Sequence, residues 1–264
     1  MNRALHLLVL LLLVIGGQTS AAGISGARQG IAADPLLTRA RQAVFELTEA
    51  LPDFVCRETV SRYRASSLFS EWLPLDRLAA DVIFENGKER YQKLSINGKP
   101  VHRRIDQLSG AWSTGEFGSV LLQLFSPVTA AEFRPAPDEV PRTLSEIGTY
   151  GFEVSPSASQ WMISVDSRVI VPPYKGSIQI NLQTAGVSRL EMRAEDLPST
   201  FPAYLVESAI DYQPVTIGGK VFLLPARSEM VMCFRDKSLC VRNTIAFTDY
   251  HKFASESRLY FLAP

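Results

Sequence analysis

The chain has 264 residues, of which 46% are hydrophobic and 20% are charged, and its 27 Lys and Arg residues balance 27 Asp and Glu residues. This composition is that of an ordinary globular protein. The balanced charge excludes the basic excess that is typical of a nucleic-acid-binding protein, and it predicts no sustained attraction to an anionic lipid surface.

The first 22 residues have the order of an export signal. Arg3 provides a positive charge, residues 7–15 form an unbroken apolar run, and small residues lead to Ala21 and Ala22, after either of which cleavage fits. The apolar run is shorter than a transmembrane helix requires, and no basic cluster follows it. We therefore expect residues 1–22 to be a cleaved signal peptide.

The predicted mature chain begins with a short flexible N-terminus at residues 23–33, which are small and polar. No Cys follows the cleavage zone, so lipid attachment is not expected, and no later apolar run predicts a transmembrane segment in the mature chain. We expect the protein in the periplasm, with secretion into the medium as the alternative.

An amphipathic helix is predicted at residues 35–51. Asp34 is a favourable helix cap, Pro35 suits the first turn, and Pro52 ends the element. Apolar residues recur at steps of three and four and form one stripe: Leu37, Ala40, Val44, Leu47 and Leu51. A second, short apolar helix is predicted at residues 118–125.

Most of the remaining chain has the pattern of short strands. Asn86-Gly87 and Asn97-Gly98 are strong hairpin signals. Strands are predicted at residues 54–64, 80–85, 90–96 and 101–105 and, after a Pro-rich loop at 135–141, at residues 149–154, 160–165, 176–182, 187–194, 205–212, 215–224, 227–233 and 239–250. Further turns are predicted at Ala185-Gly186, Gln213-Pro214 and Gly218-Gly219.

Many short strands joined by tight turns indicate an antiparallel meander. We expect one α+β, mainly antiparallel β domain over residues 34–264, built as a curved half-barrel sheet that is covered by a few helices. An antiparallel sheet must cover its apolar face, and the helices at 35–51 and 118–125 are the available covers.

The cysteines predict one disulfide. A four-residue turn at residues 235–238 would place Cys233 opposite Cys240, at a Cβ separation of about 4.5–5.5 Å, which is near the range of a disulfide. An exported compartment permits this bond, and two buried free thiols are the alternative. Cys56 is expected to be a packed free cysteine, although its pairing with either of the others stays open.

No catalytic residue, metal site or cofactor is predicted. His102 and His251 have no partner at metal-ligand spacing, and Ser199 does not lie in a Gly-x-Ser-x-Gly elbow. Gly218-Gly219 is a hairpin turn, because no helix pattern follows it as in a phosphate loop. We expect the protein not to be an enzyme.

Apolar and aromatic residues are the remaining candidates for a binding site. A curved sheet whose concave side is apolar and incompletely filled can bind an apolar ligand, and an ordinary packed core is the alternative. The candidate ligand-binding residues lie near the helical covers and on one strand: Trp112, Phe117, Leu121, Leu124, Phe125 and Trp161.

The order of the elements resembles a known family. A signal peptide and an amphipathic helix precede the strand at residues 54–63, Asn-Gly hairpins follow it, and a strand–turn–strand unit occupies residues 174–190. This arrangement resembles the LolA/LolB-like superfamily of envelope proteins, which includes lipoprotein carriers and the sensor domain of the sigma-factor regulator RseB. The resemblance implies a half-barrel with an apolar cavity for acyl chains. It is one of pattern, so no functional residue is carried over.

Three functions follow from these observations. The first is a non-enzymatic periplasmic binding or carrier protein for a lipid, acyl chain or lipidated peptide on the concave face. The second is a structural or protein–protein interaction module of the cell envelope with a filled core, which uses a sheet edge or the Pro-rich loop. An exported hydrolase is the least favoured. The expected partner is an apolar ligand or an envelope protein, and not nucleic acid.

Overall fold

Helix α1 spans Pro35–Glu49 and begins at the predicted cap. Asp34 Oδ1 accepts a hydrogen bond from the backbone N–H of Leu36 (2.8 Å). The second carboxylate oxygen, Oδ2, accepts a hydrogen bond from the hydroxyl of Tyr150, which is fully buried in the sheet (2.8 Å). One carboxylate therefore satisfies a free N–H of the first helical turn and fixes the helix to the sheet.

The computed structural model describes residues 34–103, 117, 119–136, 146–165 and 168–253. Helix α2 spans Ser119–Phe125. The strands are β1 Phe54–Ala65, β2 Leu73–Glu85, β3 Lys88–Ile96, β4 Lys99–Pro100, β5 Glu132–Pro135, β6 Ile147–Val154, β7 Ile163–Val165, β8 Arg168–Ile170, β9 Tyr174–Asn181, β10 Val187–Ala194, β11 Ala203–Ile217, β12 Lys220–Phe234 and β13 Leu239–Lys252.

Eleven of these strands form one antiparallel sheet in the order β4-β3-β2-β1-β13-β12-β11-β10-β9-β6-β5, while β7 and β8 form a separate hairpin. Strand β1 pairs with β13, so the first and last described strands lie side by side within the sheet. The sheet is large, curved and not closed. The predicted α+β, mainly antiparallel half-barrel is confirmed.

The two Asn-Gly turns and the turn between the cysteines lie where the sequence places them. Asn86, Gly87, Asn97 and Gly98 all have positive φ angles, which is the geometry of the two-residue hairpin turn that Asn-Gly favours. The turn at residues 235–238 places Cys233 opposite Cys240, and the structure contains the Cys233–Cys240 disulfide.

Cys56 is a free, buried cysteine. Burial is the main cause that raises the pKa of its thiol, so the thiol remains protonated and unreactive.

The predicted turn at Gln213-Pro214 is wrong, because β11 continues through these residues to Ile217 and turns at Gly218-Gly219. Beyond Asp211, β11 pairs only with β12 and no longer with β10. A strand with a single neighbour tolerates a proline, because one side of its backbone needs no hydrogen-bonding partner.

The strand boundaries differ in further places, and β2 begins at Leu73 rather than at residue 80. The segment predicted at 215–224 is divided between β11 and β12 by the turn at Gly218-Gly219. Its second part joins the segment predicted at 227–233 in β12, which runs past an irregularity in register opposite Asp211 and Tyr212. The strand predicted at residues 101–105 is replaced by β4, Lys99–Pro100, because pairing with β3 begins directly after the two-residue turn. Residues 104–105 lie outside the described residues. Strands β5 and β8 were not predicted, since short segments carry little periodicity.

The core lies between the helices and one face of the sheet. Buried and less buried residues alternate along β6 and β10, which is the pattern of a sheet with one face packed. Helix α1 buries Ala40 and Val44, and helix α2 buries Leu121, Leu124 and Phe125 against this face.

Candidate functional site

The helix-covered face contains most of the predicted ligand-binding residues, but they fall into two core clusters. Phe117 is 4% exposed and packs against Phe54 and Phe247 with ring centroids 5.5 and 5.2 Å apart. It belongs to a cluster formed mainly by β1, β2, β12 and β13. Trp112 lies outside the described residues.

The other four residues belong to the second cluster. Phe125 stacks on Phe133 with ring centroids 5.5 Å apart, and the half-buried Trp161 meets Tyr174 edge-on at 5.4 Å. Leu121 and Leu124 are buried beside them. These side chains therefore contact one another and the sheet as core residues do.

A small cavity lies where the two clusters meet. Its volume is about 30 Å³, and its lining is mainly apolar: Val44, Leu47, Thr48, Leu51, Phe117, Leu121, Tyr212, Phe222, Leu223 and Leu224. Pockets for small ligands usually have volumes of about 300–1,000 Å³. This cavity is therefore far too small for an acyl chain unless helix α1 moves.

The opposite face of the sheet brings together a different site. We call it the open face, and it is the face that carries Lys175, Arg193 and Glu207, whose positions alternate with core residues along β9–β11. Gly151, Ser177 and Ala209 lie in one cross-strand row on this face, with Glu191 between the last two. Because these three residues are small, they leave a depression in the sheet surface.

This depression is part of a groove of about 620 Å³ across β5, β6 and β9–β12. We call it the open-face groove. Its charged lining comprises five acidic and four basic residues: Glu132, Glu153, Glu191, Glu207, Glu229, Arg134, Lys175, Arg189 and Arg193. The volume is within the usual range of ligand pockets.

Ion pairs hold the charged groups on one side of the groove. Arg193 contacts Glu207 on the neighbouring strand and Glu195 at 2.8 Å, and Lys175 contacts the other oxygen of Glu195. Hydrogen bonds from Lys175 and then Arg193 lower the pKa of Glu195. Glu195 therefore stays ionised and links the two cations across adjacent strands.

A second network lies on the other side of the small-residue row. Arg189 contacts Asp211 on β11 at 2.5 Å and Glu191 on its own strand at 2.8 Å. Ser177 donates a hydrogen bond to Glu191 (2.9 Å). Exposed ion pairs add little stability, but these pairs restrict where the charged groups can lie, so the groove presents a preformed charge pattern.

The groove is suited to binding. Its polar groups are carboxylates, guanidinium groups, one ammonium group and two hydroxyls, and the basic ones are engaged in ion pairs. In the described part of the chain, no cluster of three or more His, Cys, Asp or Glu side chains could hold a metal ion. Within the same ranges, no helix has the length and hydropathy that crossing a bilayer requires.

Sequence reasoning did not predict the open-face groove. Its side chains appear in the sequence as the polar positions of alternating strands, which is the ordinary pattern of a solvent-facing sheet surface. The available signal was the row of small residues Gly151, Ser177 and Ala209, which becomes visible only when the strand register is known.

The fold and groove define a class of protein: an open antiparallel sheet with helices on one face and a charged groove on the other. No protein-family profile matches the sequence, and no curated protein sequence matches it at a significant level.

Among solved structures, a DUF1329 family protein from Desulfovibrio piger is similar, with a TM-score of 0.32 and 8% identity over 84% of this chain and 95% of that chain. A likeness of this degree says nothing about ligand, partner or activity.

Proposed function

We propose that the chain is an exported, non-enzymatic binding module of the cell envelope, which binds a polypeptide partner in the open-face groove. The observation that carries the proposal is this groove of about 620 Å³, which is bordered by charges of both signs. The interaction module that the sequence suggests is thereby favoured over a lipid carrier.

The charge pattern is the reason for a polypeptide partner. A peptide segment carries both charge signs and many hydrogen-bonding groups, so it can match acidic and basic borders together. A polyanion would meet five carboxylates, and an acyl chain would desolvate charged groups without replacing their hydrogen bonds. Because ion pairs hold the border in place, less conformational entropy is lost on binding.

The sheet edges are poorer docking sites than the groove. Strand β4 has only two residues and contains Pro100, and β5 has four residues and ends with Pro135. Short edge strands with proline and charged residues are the usual means by which sheets prevent further strand addition. Most of the Pro-rich loop at 135–141, namely residues 137–141, lies outside the described residues.

Site-specific photo-cross-linking tests the proposal. A benzophenone side chain at Ala209 lies in the groove, whereas the same group at Arg77 lies on an exposed position of β2, away from the groove lining. Cross-linking is carried out in the envelope of a two-membrane bacterial host, and the products are identified by mass spectrometry. We expect one defined polypeptide adduct from Ala209 and none from Arg77.

Charge reversal provides the matched control. Arg193→Glu places a third carboxylate beside Glu195 and Glu207 and removes a cation that an acidic group of the partner would contact. We therefore expect the adduct yield to fall at least about fivefold. Arg77→Glu makes the same change away from the groove and should leave the yield unchanged. Equal adducts at both positions, or adducts with lipid alone, would contradict the proposal.

An apolar ligand is the second candidate, and the small cavity below α1 is the observation that favours it. The mainly apolar lining would admit a lipid or acyl chain if α1 moved outward. Leu121→Ala enlarges this cavity and should increase uptake of a fluorescent fatty acid. Leu47→Trp fills it and should abolish uptake, whereas Val221→Trp, at a position 62% exposed, should not. No uptake by the wild-type protein or by Leu121→Ala would exclude this candidate.

Export into the periplasm is part of the proposal and has its own test. The signal pattern of residues 1–22 supports it. We expect N-terminal sequencing of protein purified from the periplasmic fraction to begin directly after Ala21 or Ala22. A mature protein that retains Met1 and stays with the cytoplasm would refute export.

A further inference from the structure

A second concavity, of about 450 Å³, lies on the open face at strands β1, β2, β3 and β13. It is separate from the open-face groove and shares no lining residue with it. Val55 and Ile83 are paired across β1 and β2, and Val55 is also paired with His251 on β13. These side chains give the pocket an apolar floor next to a polar border.

Two β-bulges border this pocket from opposite sides. On β13, an extra residue is inserted opposite Cys56, and Asp249 has a φ of 56°. On β3, an extra residue is inserted opposite Ala80, and Lys93 has a φ of 48°. Non-glycine residues seldom adopt this left-handed conformation, and bulges commonly redirect side chains next to functional sites. Both strained residues line the same pocket.

The charged residues of the pocket lining are three cations, Arg57, Lys93 and Lys252, and two carboxylates, Asp81 and Asp249. Arg57 Nη1 and Lys93 Nζ share one carboxylate, that of Asp81, at 2.7 and 2.9 Å. Partial burial opposes ionisation of Asp81, but hydrogen bonds from Lys93 and Arg57 outweigh it and lower its pKa. Since one carboxylate serves two cations, N–H groups of both remain available for another anion.

His251 adds a further polar group with a defined orientation. Its Nδ1 lies 2.7 Å from the backbone carbonyl oxygen of Asp249, so Nδ1–H donates to that oxygen. The imidazole ring is thereby held by the bulge itself. Nε2 is an acceptor in the neutral ring and donates to an anion only in the protonated ring. Lys252 also lines the pocket.

We propose that this pocket binds a small organic anion, namely a carboxylate that carries a short apolar chain. The carboxylate contacts Arg57 and Lys93 beside His251, and the chain covers Val55 and Ile83. Arg and Lys form charge-assisted hydrogen bonds with carboxylates, and the apolar floor gains from removal of its surface from water. This site does not depend on a partner in the open-face groove.

Isothermal titration calorimetry of the full chain with hexanoate, acetate and inorganic phosphate tests the proposal. We expect saturable hexanoate binding and about tenfold weaker binding of acetate, because acetate lacks the methylene groups that cover the floor. Amide chemical shifts should move at Val55, Ile83 and His251 and not at Ser177. No saturable hexanoate binding up to about 10 mM, or tighter binding of phosphate, would overturn the proposal.

Two variants and one control locate the anion. Lys93→Asn removes the charge with a residue that tolerates a positive φ, and it should weaken hexanoate binding about fivefold. Arg57→Gln removes the second cation while Asp81 stays paired with Lys93, and it should have a similar effect. Lys88→Gln removes one charge outside the pocket and should have none. An equal loss in all three would show a non-specific charge effect and overturn the proposal.

Discussion

Replacing Asp34 with alanine should lower the free energy of unfolding by about 2–4 kcal/mol. The carboxylate makes two hydrogen bonds of 2.8 Å, one to the N–H of Leu36 and one to the hydroxyl of Tyr150. Loss of a helix cap costs about 1 kcal/mol, and loss of a hydrogen bond to a charged group costs about 1.5–3 kcal/mol.

Urea denaturation followed by circular dichroism measures this change, with an unchanged m-value as the sign that only stability is altered. Asp34→Asn is the matched control, because asparagine also caps helices, and it should cost less than about 1 kcal/mol. Tyr150→Phe removes only the hydroxyl. A double-mutant cycle of Asp34→Ala and Tyr150→Phe should give a coupling energy of about 1–2 kcal/mol. A coupling near zero would refute the role of Asp34 as the link between α1 and the sheet.

Three further perturbations test the fold. Replacing Cys233 and Cys240 by serine should cost about 2 kcal/mol in chemical denaturation, because their bond closes a short loop. Hydrogen bonds from Arg62 are the main cause that lowers the pKa of Asp76. The ionised Asp76 therefore stabilises the folded state at pH values above the ordinary pKa of an aspartate. That stability is lost as the pH falls through the lowered pKa, so wild type should lose more stability below about pH 4 than Asp76→Asn. Gly176→Ala should cost about 3 kcal/mol, because its Cβ would lie 1.8 Å from a carbonyl oxygen.

Each of these predictions has a contradicting result. Gly151→Ala is the control for the glycine, since its Cβ would meet no atom closer than 3.8 Å, and equal costs at the two glycines would contradict the packing argument. Identical acid profiles of wild type and Asp76→Asn would exclude a contribution from the Arg62 ion pair. Unfolding that is insensitive to reductant would show that the disulfide adds no stability.

Local elements were largely predictable because their signals lie within a few residues. Asp34 and Pro35 begin α1 through the hydrogen bond and backbone angle that these residue types supply. Asn86-Gly87 forms its turn because both residues accept a positive φ. Pro214 misled the prediction because its effect depends on whether a neighbouring strand is present, which is a property of the sheet.

The candidate sites were much less predictable. The sequence singled out Phe117 and Leu121 as apolar residues near the helices, and the structure places both in packed contacts around a cavity of about 30 Å³. Whether an apolar surface is filled depends on the distances between elements, and no pattern along the chain contains them. The polar residues that line the two larger pockets looked like an ordinary solvated face.

By itself, the sequence determined most of the segments that form helices and strands, the two Asn-Gly turns, and that Cys233 can meet Cys240, because these depend on interactions between near neighbours. Only the tertiary structure decided that β1 lies beside β13 and that Arg193 meets Glu207 across two strands. Strand order and register result from packing the whole apolar face at once. The two pockets on the open face are a consequence of that register. It places the small residues of the open-face groove in one row, and it places two β-bulges on opposite sides of the second pocket.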